Sequence, residues 1–132
     1  MNSKILIAKA AEAMNNSYSP YSGFKVGAAL LSKSGKVFTG CNIENASFSP
    51  TCCAERTAFF KAISRGERNF TAIAVVGGKD GEINSFCPPC GVCRQVMAEF
   101  CDNDFLIILS DGKIAKAHTL EKLLPESFGL DK

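Results

Sequence analysis

Apolar positions recur at helical spacing near the start of the chain, at Ile5, Leu6, Ala8, Ala10, Ala11, Ala13 and Met14, with Ser3 as the expected cap and Asn15-Asn16-Ser17 as the stop. YSPYSG, residues 18–23, reads as an irregular loop. FKVGAALL then predicts a strand over 24–31, a turn over 32–35 and a returning strand over 36–43. Gly27 and Gly40 inside these strands mark bends or a close backbone approach. After the loop ENASFSP, a helix is expected over 52–65, capped by Thr51, turned inward through Ala54, Ala58, Phe59, Ala62 and Ile63, and closed by Gly66. A buried strand follows over 70–76, then a loop over 77–86. A helix over 90–101 is expected to turn Val92, Val96, Met97 and Phe100 inward. Residues 105–109 form a short apolar strand, Asp111-Gly112 is a hairpin signal, 113–118 is an edge strand, and Thr119 caps a helix over 120–124 that Pro125 stops.

The order is α-β-β-α-β-α-β-β-α, without repeat or linker, and predicts one domain over residues 1–132. Five strands with interspersed helices call for a single sheet covered on both faces, a three-layer α/β/α fold. The two helices flanking the middle strand act as crossovers, so the central strands are parallel or mixed, while the first and last pairs are hairpins.

Composition narrows the function. Fifteen Lys and Arg against 13 Asp and Glu give a net charge of +2, and there is no tryptophan. That balance offers no basic track or stacking platform for nucleic acid and no polybasic membrane patch. No apolar run is long enough to span a bilayer, and the first 17 residues read as an amphipathic helix, not a signal peptide. Seven cysteines is an odd number, which fits a cytoplasmic chain with reduced thiols better than a disulfide scaffold.

The cysteines carry the chemistry. Cys90-Gly91-Val92-Cys93 has the gap that lets two sulfurs reach one metal ion. Cys53 lies at another expected helix start, and helix N-termini favour thiolates. Cys87-Pro88-Pro89-Cys90 is also a two-residue-gap pair, and Cys52 competes with Cys53, so spacing alone leaves the register open. Cys41 and Cys101 read as small buried hydrophobes, and His118, the only histidine, as a surface or capping residue. A metal site would then be built on three cysteines with one open position, the mark of a catalytic ion rather than a structural one. Glu55, two residues after Cys53, is placed to shuttle protons beside such an ion. Arg56 follows Glu55 at this helix start, and Arg94 and Gln95 lie at the start of the other helix as further polar candidates beside the cysteines.

FKVGAALL, GCNIENASFSPTCCAERTAFF, PPCGVCRQV and the tail LLPESF together resemble the cytidine deaminase family, of the small homotetrameric zinc-dependent type, over nearly the whole chain. The resemblance implies the same mixed five-stranded sheet between helices, with the last two strands antiparallel. It implies one Zn²⁺ on Cys53, Cys90 and Cys93, with Cys52 and Cys87 outside the ligand set and Glu55 as the proton carrier. Arg56 matches an arginine that hydrogen-bonds ligand sulfurs. Asn42 and Glu44 match ribose ligands, Phe24 an aromatic wall for the base, and the Ala54 carbonyl an acceptor for the amino group. Ala46 and Phe48 match positions that reach a neighbouring subunit's site; the family often has tyrosine in place of Phe48. Phe128 matches a residue that stacks on the base bound in another subunit. The implied activity is deamination of cytidine and deoxycytidine to uridine and deoxyuridine in pyrimidine salvage, by a homotetramer with shared active sites. A blasticidin-type deaminase shares the zinc signature, but NIENASFS looks like the ribose-binding version.

Overall fold

The computed structural model describes residues 1–132. Nine elements follow in the expected order: α1 (Ser3–Met14), β1 (Phe24–Ser32), β2 (Val37–Cys41), α2 (Ala54–Ser64), β3 (Phe70–Lys79), α3 (Gly91–Phe100), β4 (Leu106–Ser110), β5 (Ala115–Thr119) and α4 (Leu120–Leu123). The strands form one sheet in the order β2-β1-β3-β4-β5. β1 is antiparallel to both β2 and β3, β3 is parallel to β4, and β4 is antiparallel to β5. β2, β3 and β4 therefore run the same way, and α2 and α3 are the crossovers between them. The expected mixed sheet and both hairpins are present.

Side chains alternate along the strands and build a core on each face. One face carries Ala29, Ala72, Ala74, Val76 and Ile108 beneath Leu6, Ala10 and Met14 of α1. The other carries Ala28, Leu30, Ile73, Val75, Ile107 and Leu109 beneath α2 and α3. Phe59 of α2 anchors this second core, packing edge-on against Phe70 with ring centroids 5.3 Å apart and contacting Phe105 and Phe100. The resulting α/β/α layering matches the expected fold class.

Close approach explains one strand glycine. A Cβ on Gly40 would lie 2.5 Å from both the Ala54 carbonyl oxygen and the Ala58 nitrogen, so the first turn of α2 rests directly on β2. Gly27 plays the same part under α1 on the opposite face.

Several boundaries differ from expectation. Asn2, not Ser3, caps α1, its side-chain oxygen accepting from Ile5 N–H at 3.0 Å. Thr51 does not cap α2. Its hydroxyl accepts from Asn45 N–H, Cys52 is drawn into a short bridge with Ile43, and the helix starts only after Cys53. β3 runs on through Gly77 and Gly78 to Lys79, because these residues pair with Val26, Lys25 and Phe24 of β1. Val92 is 58% exposed and Cys93 takes the inward position expected for it. Thr119 does cap the last helix, accepting from Lys122 N–H. No helix is long and apolar enough to cross a membrane.

α2 and α3 each begin beyond the carboxyl end of one of the parallel strands. Their N-termini therefore meet at the same end of the sheet, where open α/β sheets form crevices.

Candidate active site

Cys53 is the N-cap residue of α2 and Cys90 that of α3, both in extended backbone conformation, and neither side chain is spent on capping. Cys93 follows one turn into α3 and is 1% exposed. The sulfurs of Cys53 and Cys90 are 3.8 Å apart, those of Cys90 and Cys93 3.6 Å, and all three lie within 4.8 Å of one another. Zinc–sulfur bonds of about 2.3 Å at tetrahedral angles put ligand sulfurs about 3.8 Å apart. The three sulfurs are thus spaced to hold one zinc ion.

The surroundings prepare these sulfurs for a cation. Cys53 is held down to about 5, chiefly by the neighbouring Cys93 thiol and further by the Arg56 guanidinium. The nearby Cys53 sulfur, with burial, pushes the Cys93 thiol upward. Arg56 Nη2 donates to Cys53 Sγ at 3.4 Å, and this bond holds the guanidinium firmly charged. Arg56 Nε is buried beside the cluster with no hydrogen-bond partner.

Glu55, in the first turn of α2, is 4% exposed. Burial, with the Cys53 charge adding to it, pushes its carboxyl up to about 7. A carboxyl near 7 can both take and give a proton at neutral pH. It lines a cavity of about 190 Å³ whose wall includes Cys53, Cys90, Ala54, Asn42 and Glu44. A second cavity of about 300 Å³ adjoins it through Glu44 and Thr51, with Tyr21 and Phe48 on its rim.

Asn42 and Glu44 follow the end of β2. Asn42 Oδ1 accepts from Val26 N–H at 2.9 Å and from the Ser17 hydroxyl, and its amide donates to the Phe24 carbonyl at 2.8 Å. Glu44 accepts from the Tyr21 and Ser22 N–H groups and from the Ser22 hydroxyl. These bonds, the Ser22 hydroxyl foremost, hold its carboxyl below the usual range.

Other expected residues sit further out. Phe24 shares the strand face of Val26, but Val26 lines the cavity and Phe24 lies beyond it, 39% exposed. Ala46 is exposed on the 44–50 loop, and Phe48 is 84% exposed. Phe128 is 71% exposed and does not tuck into its own core. Arg94 and Gln95 find their partners elsewhere. Arg94 does not reach the ligand sulfurs: its guanidinium donates to the Pro89 carbonyl at 2.8 Å and the Leu123 carbonyl at 2.7 Å, tying α4 to the start of α3. Gln95 likewise turns away and donates to the Phe128 carbonyl at 3.2 Å.

Val26, Thr51, Cys52, Cys87 and Pro88 also line the cavity and were not expected there. Cys87 is part of the cavity wall and lies outside the three-sulfur cluster. Burial pushes its thiol up to about 11, and its sulfur packs where a Cβ on Gly77 would come within 3.2 Å. Its place three residues before Cys90 is the one signal that could have located it.

Comparison with known proteins agrees with the geometry. A family model for the cytidine and deoxycytidylate deaminase zinc-binding region matches residues 1–109. The chain is 49% identical over 130 residues to the cytidine deaminase of Sporosarcina psychrophila, covering 97% of this chain and 92% of that one. It is 50% identical over 130 residues to the cytidine deaminase of Halalkalibacterium halodurans, covering 97% and 95%. The crystal structure of cytidine deaminase from Burkholderia pseudomallei superposes with a TM-score of 0.89 at 45% identity, over 97% of this chain and 100% of that one.

Proposed function

The chain belongs to the cytidine and deoxycytidylate deaminase family, and on that premise we propose that it hydrolyses cytidine and 2′-deoxycytidine to uridine and 2′-deoxyuridine, with release of ammonia. The observation that carries the reading is a buried carboxyl, Glu55, sharing one small cavity with Cys53 and Cys90, two members of a three-sulfur cluster, completed by buried Cys93, that is spaced for a single zinc ion. Zinc held by Cys53, Cys90 and Cys93 would supply the Lewis acidity that makes water nucleophilic at neutral pH. Glu55 takes a proton from that water as it adds to C4 of the base and passes it to N3. It then takes the proton of the new C4 hydroxyl and delivers it to the amino nitrogen as the C4–N4 bond breaks, leaving a carbonyl at C4. The Ala54 carbonyl accepts from the amino group. Arg56 offsets part of the charge of three thiolates.

Counting donors and acceptors favours a neutral sugar with one recognised hydroxyl. Asn42 has spent both acceptor sites of Oδ1 and one of its two N–H donors, leaving one donor. Glu44 has accepted three hydrogen bonds of about four possible, leaving one acceptor. A single hydroxyl that donates to Glu44 and accepts from Asn42 satisfies both, and a 3′-hydroxyl, common to the two nucleosides, suits it. A phosphate beside Glu44 would meet repulsion.

The 132 residues are read as one catalytic domain that works in the cytoplasm as a homotetramer with shared sites. Support comes from exposed Phe48 at the rim and from exposed Phe128 on a tail that Gln95 holds only through a backbone carbonyl.

Loss of the cytidine absorbance band with purified protein, abolished by a zinc chelator and restored by zinc, tests the activity. Glu55→Gln should keep its zinc and lose about 10²–10⁴-fold in kcat, the usual worth of positioned proton transfer. Turnover within about tenfold of the parent would refute the role of Glu55, and zinc binding without ammonia release would leave a structural metal site.

A further inference from the structure

Both sugar-facing residues are held by the loop between α1 and β1. Tyr18 N–H donates to the Asn42 carbonyl at 3.0 Å, and the Tyr18 carbonyl accepts from Glu44 N–H at 2.8 Å. The grip is tightest on the Glu44 carboxylate. Oε1 accepts from Tyr21 N–H at 3.0 Å and Ser22 N–H at 3.2 Å, and Oε2 accepts from the Ser22 hydroxyl. The Ser22 hydroxyl is fixed in turn, because its oxygen accepts from Phe24 N–H at 2.9 Å and its one proton goes to Glu44. Lys79, at the end of β3, donates to the Ser22 carbonyl at 2.6 Å, and the next residue's N–H donates to the Gly23 carbonyl at 2.7 Å. The loop is thereby tied to the sheet at the point where it touches the carboxylate.

An ionised carboxylate offers about four acceptor sites. Oε1 is filled by two N–H groups, so the free site is on Oε2, beside the Ser22 hydroxyl. Glu44 is also common to the walls of both cavities. Without the Ser22 hydroxyl, Oε2 would offer two open sites, and the carboxylate would be held only by the two N–H groups on Oε1.

We propose that Ser22, anchored by Lys79, is a positioning residue for the substrate: it orients Glu44 so that the one free acceptor on Oε2 meets the sugar hydroxyl. The proposal rests on the reading of Glu44 as a sugar ligand. Ser22 itself touches no reacting atom, so its effect is on KM and not on the chemical step.

The test is steady-state kinetics of the zinc-loaded protein with cytidine and 3′-deoxycytidine. Glu44→Ala should lower kcat/KM for cytidine and leave 3′-deoxycytidine unchanged. Ser22→Ala should raise KM for cytidine by about tenfold, the size of one hydrogen bond to a charged group, with kcat unchanged and no effect on 3′-deoxycytidine. Ser22→Thr, which keeps the hydroxyl, should restore the parental KM. In Ser22→Ala the acid-side rise in KM should also move to higher pH, because the Ser22 hydroxyl is the chief contact holding the Glu44 carboxyl down. If Glu44→Ala affects both substrates alike, the sugar reading of Glu44 is refuted and the proposal falls with it. If Glu44→Ala discriminates but Ser22→Ala weakens both substrates equally, or neither, Ser22 is only part of the loop's packing and the proposal alone is overturned. Should Ser22→Ala not fold, Lys79→Met carries the same comparison: a selective rise in KM for cytidine supports the anchored hold, and an unselective effect or none overturns it.

Discussion

Glu55 should be a residue that the fold would be more stable without. Its carboxyl is held at about 7 against an ordinary 4.5, mainly because burial disfavours the charged form. The folded state therefore binds the Glu55 proton more tightly than the unfolded chain. Stability from this group is full below about pH 4.5, declines as the pH rises, and is gone above about 7. A displacement of about 2.5 units at 1.36 kcal/mol each corresponds to about 3 kcal/mol of destabilisation at alkaline pH, of which about 2.5 kcal/mol develops between pH 5 and pH 8. Glu55→Gln keeps the shape and removes the titration. Urea unfolding of the metal-free parent and variant, with the native fold of each checked by circular dichroism, should show the variant gaining about 2–3 kcal/mol on the parent as the pH is raised from 5 to 8. A stability difference that does not change with pH would refute the argument, since it would mean that Glu55 titrates alike in the folded and unfolded chain.

Four further outcomes follow from the same geometry. Arg56→Ala removes the donor to Cys53 Sγ and should weaken zinc retention or turnover by about 10–100-fold, read by chelator competition and a pH–rate profile; unchanged values would reduce Arg56 to surface charge. Cys53→Ser should lose zinc, whereas Cys52→Ser and Cys87→Ser should keep one zinc per chain by elemental analysis, and loss from either of the latter would change the ligand register. Gly40→Ala drives a Cβ to within 2.5 Å of the α2 backbone and should cost about 1–3 kcal/mol in urea unfolding, with a fall in zinc affinity because the start of α2 must shift; a neutral variant would show that α2 can lift freely. Phe128→Ala should raise KM for cytidine by the loss of about 1–3 kcal/mol of base stacking, and mixing it with Glu55→Gln chains through dissociation and reassembly should recover near-parental KM in a fraction of sites, an outcome that a monomer by light scattering or a failed mixture would exclude.

The order of all nine elements is legible in the sequence because each hydrophobic run has the period of its element and is closed by residues that stop it. The edges are less legible because they depend on distant partners. β3 continues through Gly77 and Gly78, residues that read locally as breakers, because β1 lies alongside to pair with them and the Cys87 sulfur needs the space beside Gly77. Val92 looks like a core residue by periodicity, yet the start of α3 is rotated so that Cys93 faces the cluster. The metal triad is legible because its spacing is local at one end and marked by Cys-Ala-Glu at the other. The roles of Ser17, Ser22 and Lys79 are not, since they reach across 25, 22 and 57 residues of sequence with no motif to announce them. Arg94 shows the converse: adjacency to a ligand in sequence does not keep a long side chain beside it in space.

The metal triad also has a bearing on how the chain is made. Cys90 and Cys93 meet as soon as the first turn of α3 forms, but Cys53 lies 37 residues upstream of Cys90. Between them the chain must lay down β3, the strand that separates β1 from β4. During synthesis, which proceeds from the N-terminus, Cys53 emerges early and waits without its partners. A nascent chain can thus offer at most a two-sulfur fragment until the central strand is seated and α3 has docked, and two sulfurs hold zinc far less firmly than three. Assembly of the three-sulfur cluster is tied to a long-range contact of the kind that slows folding. On the zinc reading proposed above, the site would be completed last, after the sheet has been assembled.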